Sequence, residues 1–230
     1  MSIPLLLLHG ALGAEDQMMP LKDQLTSAYS VHAINFSSHG GKPVTDASYR
    51  IKHFAIDVLS WMAEKDYEQI NIFGYSMGGY VGMYLARHYP DKINNIFTLA
   101  TKYVWDELST ARELRMLNAQ KIKEKVPKFA AMLEKRHAPQ SWELILEKTG
   151  EMMKAMSVTP PLLNDDYARI PHSVMIAVGD QDTTAGLEDS VAIFRQLSNA
   201  QLWVIPATSH PLEKVNHQLL VSEIDQFFHI

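Results

Sequence analysis

Residues 70–79 read Ile70-Asn71-Ile72-Phe73-Gly74-Tyr75-Ser76-Met77-Gly78-Gly79, and this run decides the fold. Four residues dominated by isoleucine and phenylalanine suit a buried strand, and residues 80–88, ending before Pro90, suit a helix. Between them lies Gly-x-Ser-x-Gly. A serine in so abrupt a strand-to-helix turn is held in strained backbone, and flanking glycines let neighbouring chain approach where a β-carbon would clash. Ser76 Oγ is thereby expected above the sheet. The helix that starts behind it offers backbone N–H groups and a positive dipole end to developing negative charge, with the Met77 N–H first in line.

Outward from this turn, short apolar runs recur at 3–8, 30–36, 95–100, 173–179 and 201–206, bounded by Gly, Asn, Ser or Pro. Their length and continuity suit parallel strands covered on both faces. Helical periodicity lies between most of them; in 49–64, Ile51, Phe54, Ala55, Val58, Leu59 and Met62 share one face. The alternation predicts an α/β fold with a doubly wound, mostly parallel sheet. Residues 101–169 break the rhythm. They hold no convincing strand and read as three or four helices rich in Lys, Glu, Met and Leu, so 1–100 with 170–230 are expected to form the core and 101–169 a helical cap insertion. The methionines of that stretch, Met116, Met132, Met152, Met153 and Met156 among them, suit either ordinary helix packing or an adaptable apolar pocket.

A serine hydroxyl needs a neighbouring base, and the base needs a group that fixes its tautomer. In an open parallel sheet, reacting groups gather beyond the carboxyl ends of strands. Of ten histidines, His210 meets that test: it follows the run 202–206 by a short polar turn and precedes the final helix, expected at 213–228. Asp180 and Asp182 both follow the run 173–179. Asp182 lies further out, where it can reach toward His210, and Asp180 is assigned to stabilising the turn. The second oxyanion donor is expected from the loop after the first strand, with the Ala11 N–H preferred and Leu12 next. His9 is read as bracing that loop. His39 is expected either at the pocket mouth or as a solvated turn residue, and the remaining histidines, including His53, His88, His217 and His229, as surface residues.

Composition excludes several classes. With 21 Lys and Arg against 26 Asp and Glu the net charge is −5, which argues against nucleic acid as a partner. The chain has no cysteine, so disulfides, thiolate metal sites and cysteine nucleophiles are excluded, and a reducing cytoplasm suits it. The apolar run at 3–8 is too short to span a membrane. No ligand spacing calls for a metal, neither G-x-G-x-x-G nor a P-loop calls for a nucleotide (Gly41-Lys42 is followed by Pro43), and no cofactor is expected.

Taken together, His9-Gly10, the run Gly74 to Gly79, Gly179-Asp180-Gln181-Asp182 and Ser209-His210 resemble the α/β-hydrolase superfamily almost end to end. The chain looks most like its small capped members, among them carboxylesterases, thioesterases, carbon–carbon bond hydrolases and a menaquinone-pathway lyase. The resemblance implies Ser76 as nucleophile, Asp182 as acid, His210 as base, and the Ala11 and Met77 amides as oxyanion hole. It implies a small-molecule ester or thioester substrate; the alternatives are carbon–carbon bond cleavage or lysis at the same site, and a non-catalytic ligand-binding homologue. Members commonly open with two further strands before the His-Gly strand, so about six strands are expected here. Ser209 stands where the family usually has glycine. Arg112 and Arg115 are two cap residues able to meet a substrate carboxylate, or simply solvated on a charged helix.

Overall fold

The computed structural model describes residues 3–25, 30–44 and 49–228. Six strands form one sheet: β1 (Leu5–Leu8), β2 (Val31–Ala33), β3 (Ile70–Tyr75), β4 (Ile93–Leu99), β5 (Ser173–Gly179) and β6 (Ala200–Ile205), in the order β2-β1-β3-β4-β5-β6 with every neighbouring pair parallel. The doubly wound sheet of six strands is as the sequence predicts. Strand ends differ by a few residues, most at β2, where three residues pair instead of the seven of the apolar run.

Both faces of the sheet are covered, and the period-two alternation of side chains divides the core. Leu5, Leu7, Phe73 and Phe97 point to one face, where they meet Met18, Leu21 and Leu25 of α1 (Glu15–Leu25) and Leu220, Ile224 and Phe227 of α10 (His217–Phe228). Leu6, Leu8, Ile72 and Ile96 point to the other, against α2 (Ile51–Glu64), α3 (Met77–His88) and α9 (Leu187–Phe194). All four residues of β1 are wholly buried, which is why that strand is an unbroken run of leucine. The final helix is shorter than expected. A 3₁₀ turn at Leu212–Lys214 precedes it, and the chain re-enters helix only at His217.

Between β4 and β5 lie α4 (Glu107–Met116), α5 (Ala119–Lys125), α6 (Pro127–His137), α7 (Trp142–Val158) and a single turn, α8 (Asn164–Tyr167). Helix starts are capped locally: Asp106 and Ser109 form a reciprocal capping box, and Asn118 and Ser141 accept from the third helical amide. Helix α7 faces two ways. Its Trp142 and Leu146 join Ile122 and Leu133 in a small cluster of their own, while Ile145, Met152 and Met156 join the main core. Among the described residues no helix is long and apolar enough to cross a membrane.

Candidate active site

Ser76 sits between β3 and α3 with φ 51° and ψ −114°, a left-handed conformation of the kind that costs a non-glycine residue about 1–3 kcal/mol. The surroundings hold it there: its N–H donates to Leu99 O at 2.8 Å, and its carbonyl accepts from Gly79 N at 3.1 Å and from Thr101 Oγ1 at 3.2 Å. The glycines explain themselves by contact. A β-carbon on Gly78 would strike the Leu8 carbonyl at the end of β1, and one on Gly74 would strike Gly79. Helix α3 begins at Met77 rather than at residue 80, so the elbow is tighter than the sequence suggests.

Two loops bring the partners. His210 Nε2 lies 3.3 Å from Ser76 Oγ, and His210 Nδ1 lies 2.8 Å from Asp182 Oδ2. The Asp182 side chain is 1% exposed and that of His210 is 24% exposed, so the carboxylate is shielded while the ring still faces the cleft. Asp182 Oδ1 accepts from the amides of Thr184 and Ala185, both at 2.8 Å. Burial alone would raise its pKa, but the hydrogen bond and charge of His210, with those two amides, hold the carboxyl below the usual carboxylate range. Asp180 does more than shape its own turn: its Oδ1 accepts from Thr208 N at 3.2 Å, tying the β5 loop to the loop that carries His210. Tyr75, between Gly74 and Ser76, donates its hydroxyl to His210 O at 3.2 Å.

The loop between β1 and α1 supplies the other wall. A turn closes it through Gly13 N donating to Gly10 O at 3.0 Å. Its third residue, Leu12, has φ 59°, where glycine or asparagine is usual. Among the described residues neither the Ala11 nor the Met77 amide donates to a protein acceptor, and both residues border a cavity shared with Ser76. That cavity is narrow, about 40 Å³, room for a few waters. Its other walls include Ile51, Tyr80, Met152 and Met156, so these two methionines both pack the core and line the cavity. Met116, by contrast, is 74% exposed. A second, more open cleft also reaches Ser76 and His210, from the side of Leu12, Phe129 and Arg136.

The other histidines match expectation unevenly. His39 is not a solvated turn residue: it is wholly buried, with Nδ1 donating to Ser37 O at 3.0 Å and Nε2 accepting from the Tyr49 hydroxyl at 3.1 Å. That hydroxyl also pairs with Thr149 on α7 at 2.7 Å. His137 is wholly buried too, not on the surface. His9 braces its loop as expected, with Nδ1 toward Gly10 O at 2.9 Å and Nε2 accepting from Phe36 N at 3.3 Å. Of the others, His88 is exposed, His53 and His217 are half-buried, and His229 lies outside the described residues. Arg112 and Arg115 are exposed.

Sequence reasoning missed Lys102 and Glu113, which border the cavity at Ser76. Lys102 is 8% exposed; its Nζ donates to Thr184 O at 3.4 Å and lies 5.4 Å from the Trp105 ring centre. Its signal was its place, three residues past the end of β4, the same positional test that selects Asp182 and His210. Burial pushes the Glu113 carboxyl up, against the opposing pull of Lys102 and His210.

The family described as alpha/beta hydrolase fold matches residues 3–169. A 73-residue stretch, 32% of this chain, is 30% identical to 3-oxoadipate enol-lactonase 2 of Acinetobacter baylyi and covers 27% of that protein. The chain's matches span 27–35% of the length of the curated relatives. Two solved structures share the fold over the whole chain. The 2-hydroxy-6-oxo-6-phenylhexa-2,4-dienoate hydrolase of a Rhodococcus species is 19% identical with TM-score 0.83 and 91% of its own chain covered. A thermophilic esterase of Thermogutta terrifontis is 20% identical with TM-score 0.78 and 90% covered.

Proposed function

The chain belongs to the α/β-hydrolase fold family, and we propose that it is a serine hydrolase cleaving a small carboxylic ester or thioester through an acyl-enzyme. The observation that carries this reading is the hydrogen-bonded series from Ser76 Oγ through the His210 ring to Asp182, at 3.3 and 2.8 Å, beside two amides without protein acceptors. In this mechanism His210 Nε2 takes the Ser76 proton as Oγ attacks the carbonyl carbon, and Asp182 stabilises the imidazolium that forms. The Ala11 and Met77 amides receive the carbonyl oxygen as it gains charge. His210 then passes the proton to the leaving alkoxide or thiolate, and a water activated by the same ring releases the acid and frees Ser76.

In this reading residues 101–169 are a cap over the carboxyl ends of the strands, and its α7 methionines form the acyl wall. Met152, Met153 and Met156 line the narrow cavity at Ser76, and unbranched thioethers suit a wall that adapts to an incoming acyl group. The test is hydrolysis of p-nitrophenyl butyrate and of an acyl thioester by the parent and by Ser76→Ala. Turnover is expected to fall by roughly 10⁴-fold or more. Parent-like rates in the alanine variant would sink the proposal.

A further inference from the structure

The carbonyl of Leu12, one residue past the proposed oxyanion donor Ala11, accepts two hydrogen bonds from the last turn of α6: from Arg136 Nη1 at 3.3 Å and from His137 Nε2 at 3.1 Å. Both donors are built into place. The Arg136 side chain is 6% exposed and pairs through Nε with Asp16 of α1 at 2.8 Å. His137 Nδ1 accepts from Gly40 N at 3.3 Å, so the ring is neutral, with its proton on Nε2 facing Leu12; burial lowers its pKa and favours that state. The Leu12 side chain packs on the small apolar cluster that holds α5, α6 and α7 together. A strained residue persists where its surroundings over-determine it, and here Arg136 and His137 of 101–169 add to the loop's own Gly13-to-Gly10 turn and to the packing of Leu12 on the main core.

We propose that Arg136 and His137 are positioning residues: by holding the Leu12 carbonyl, two peptide units along from the Ala11 N–H, they fix the turn that aims this amide toward the oxygen that gains charge at Ser76. The oxyanion site is then complete only while α6 is docked, which couples closure of the helical segment to catalytic competence. This rests on the serine-hydrolase reading. Neither residue touches the reacting atoms, and their effect is on the transition state.

The discriminating variants are His137→Leu, which keeps bulk and removes the donor, and His137→Gln, whose amide nitrogen can reach the same carbonyl. With p-nitrophenyl butyrate, His137→Leu is expected to lower kcat about 10- to 100-fold with KM changed by about twofold or less, the scale on which a misplaced catalytic group acts. His137→Gln should recover most of that loss. Inhibition by an alkyl trifluoromethyl ketone, whose adduct carries the same oxyanion, should weaken by the factor lost from kcat/KM. If His137→Leu does not fold, as judged by thermal melting, Arg136→Ala carries the same three readouts. The proposal falls if kcat is unchanged, if only KM rises, or if the glutamine variant is as impaired as the leucine one, while Ser76→Ala is inactive. An active Ser76→Ala overturns the underlying reading instead.

Discussion

His210 and His39 use the same ring in opposite ways. His210 commits one nitrogen to a buried carboxylate and turns the other, partly exposed, toward a hydroxyl. His39 commits both nitrogens inside the fold, one to a backbone carbonyl and one to a tyrosine that itself reaches a helix of the 101–169 segment. Its neighbours His9 and His137 do likewise, with ring centres 4.9 and 6.0 Å from His39. The difference teaches that a candidate base is marked by what one of its nitrogens leaves free. Of these four rings, His210 is the one that turns a nitrogen toward the Ser76 hydroxyl.

The sharpest way to break this contrast is Asp182→Asn. An amide in place of the carboxylate leaves the shape but favours the wrong tautomer and removes the charge that balances the imidazolium. A fall in kcat of about 10⁴-fold is expected, measured against p-nitrophenyl butyrate. A variant retaining a tenth of parental activity would mean that Asp182 does not orient the His210 ring or balance its charge.

The buried set is tested by acid. Burial, with His137 and Lys42 nearby, holds the His39 pKa down at about 3 despite the Ser37 hydrogen bond; an unfolded histidine titrates near 6.5. Below that value the unfolded chain takes up a proton that the folded chain refuses. Stability is thus fully present above about pH 6.5 and is lost as pH falls toward 3, by up to about 1.4 kcal/mol per pH unit for this one ring. His9 and His137, also depressed by burial, add in the same direction. The depressed Asp182 acts later, its contribution disappearing only as pH drops below the ordinary carboxylate range. Urea unfolding at pH 7, 6 and 5 should show the decline, with a shallower slope in His39→Gln; a flat profile would mean that these rings accept protons in place.

The smallest effect expected is from Tyr49→Phe. It strands His39 Nε2 and costs about 1–3 kcal/mol of stability, with kcat for p-nitrophenyl butyrate held. A collapse of kcat at unchanged stability would put His39 on the catalytic side of the comparison.

The same contrast marks what the sequence disclosed. Ser76, Asp182 and His210, which the structure brings within hydrogen-bond distance, each lie within a few residues of the end of an apolar run, so a local pattern and a rule about strand ends suffice to nominate them. Ala11 is reachable in the same way, from the loop after β1. His39 and His137 are not, because their roles are written in partners far away along the chain: Tyr49 joins His39 to Thr149 at a separation of 100 residues, and His137 meets Leu12 at a separation of 125. Nothing within either segment announces that meeting, since helix packing in 101–169 decides it and no motif encodes it. Element boundaries slipped for a similar reason. Apolar composition runs past the last paired residue at β2, and backbone pairing with β1, not composition, ends that strand.

The hydroxyl of Ser76 and the ring of His210 are 134 positions apart, and between them the chain must lay down three strands of a sheet in which every neighbour is reached by a crossover. Such non-local topology forms slowly. In a refolding experiment, any turnover regained by the proposed hydrolase is therefore expected to report the closing stage of assembly, trailing the recovery of helical signal, so that the activity would serve as a clock for the completion of the native state.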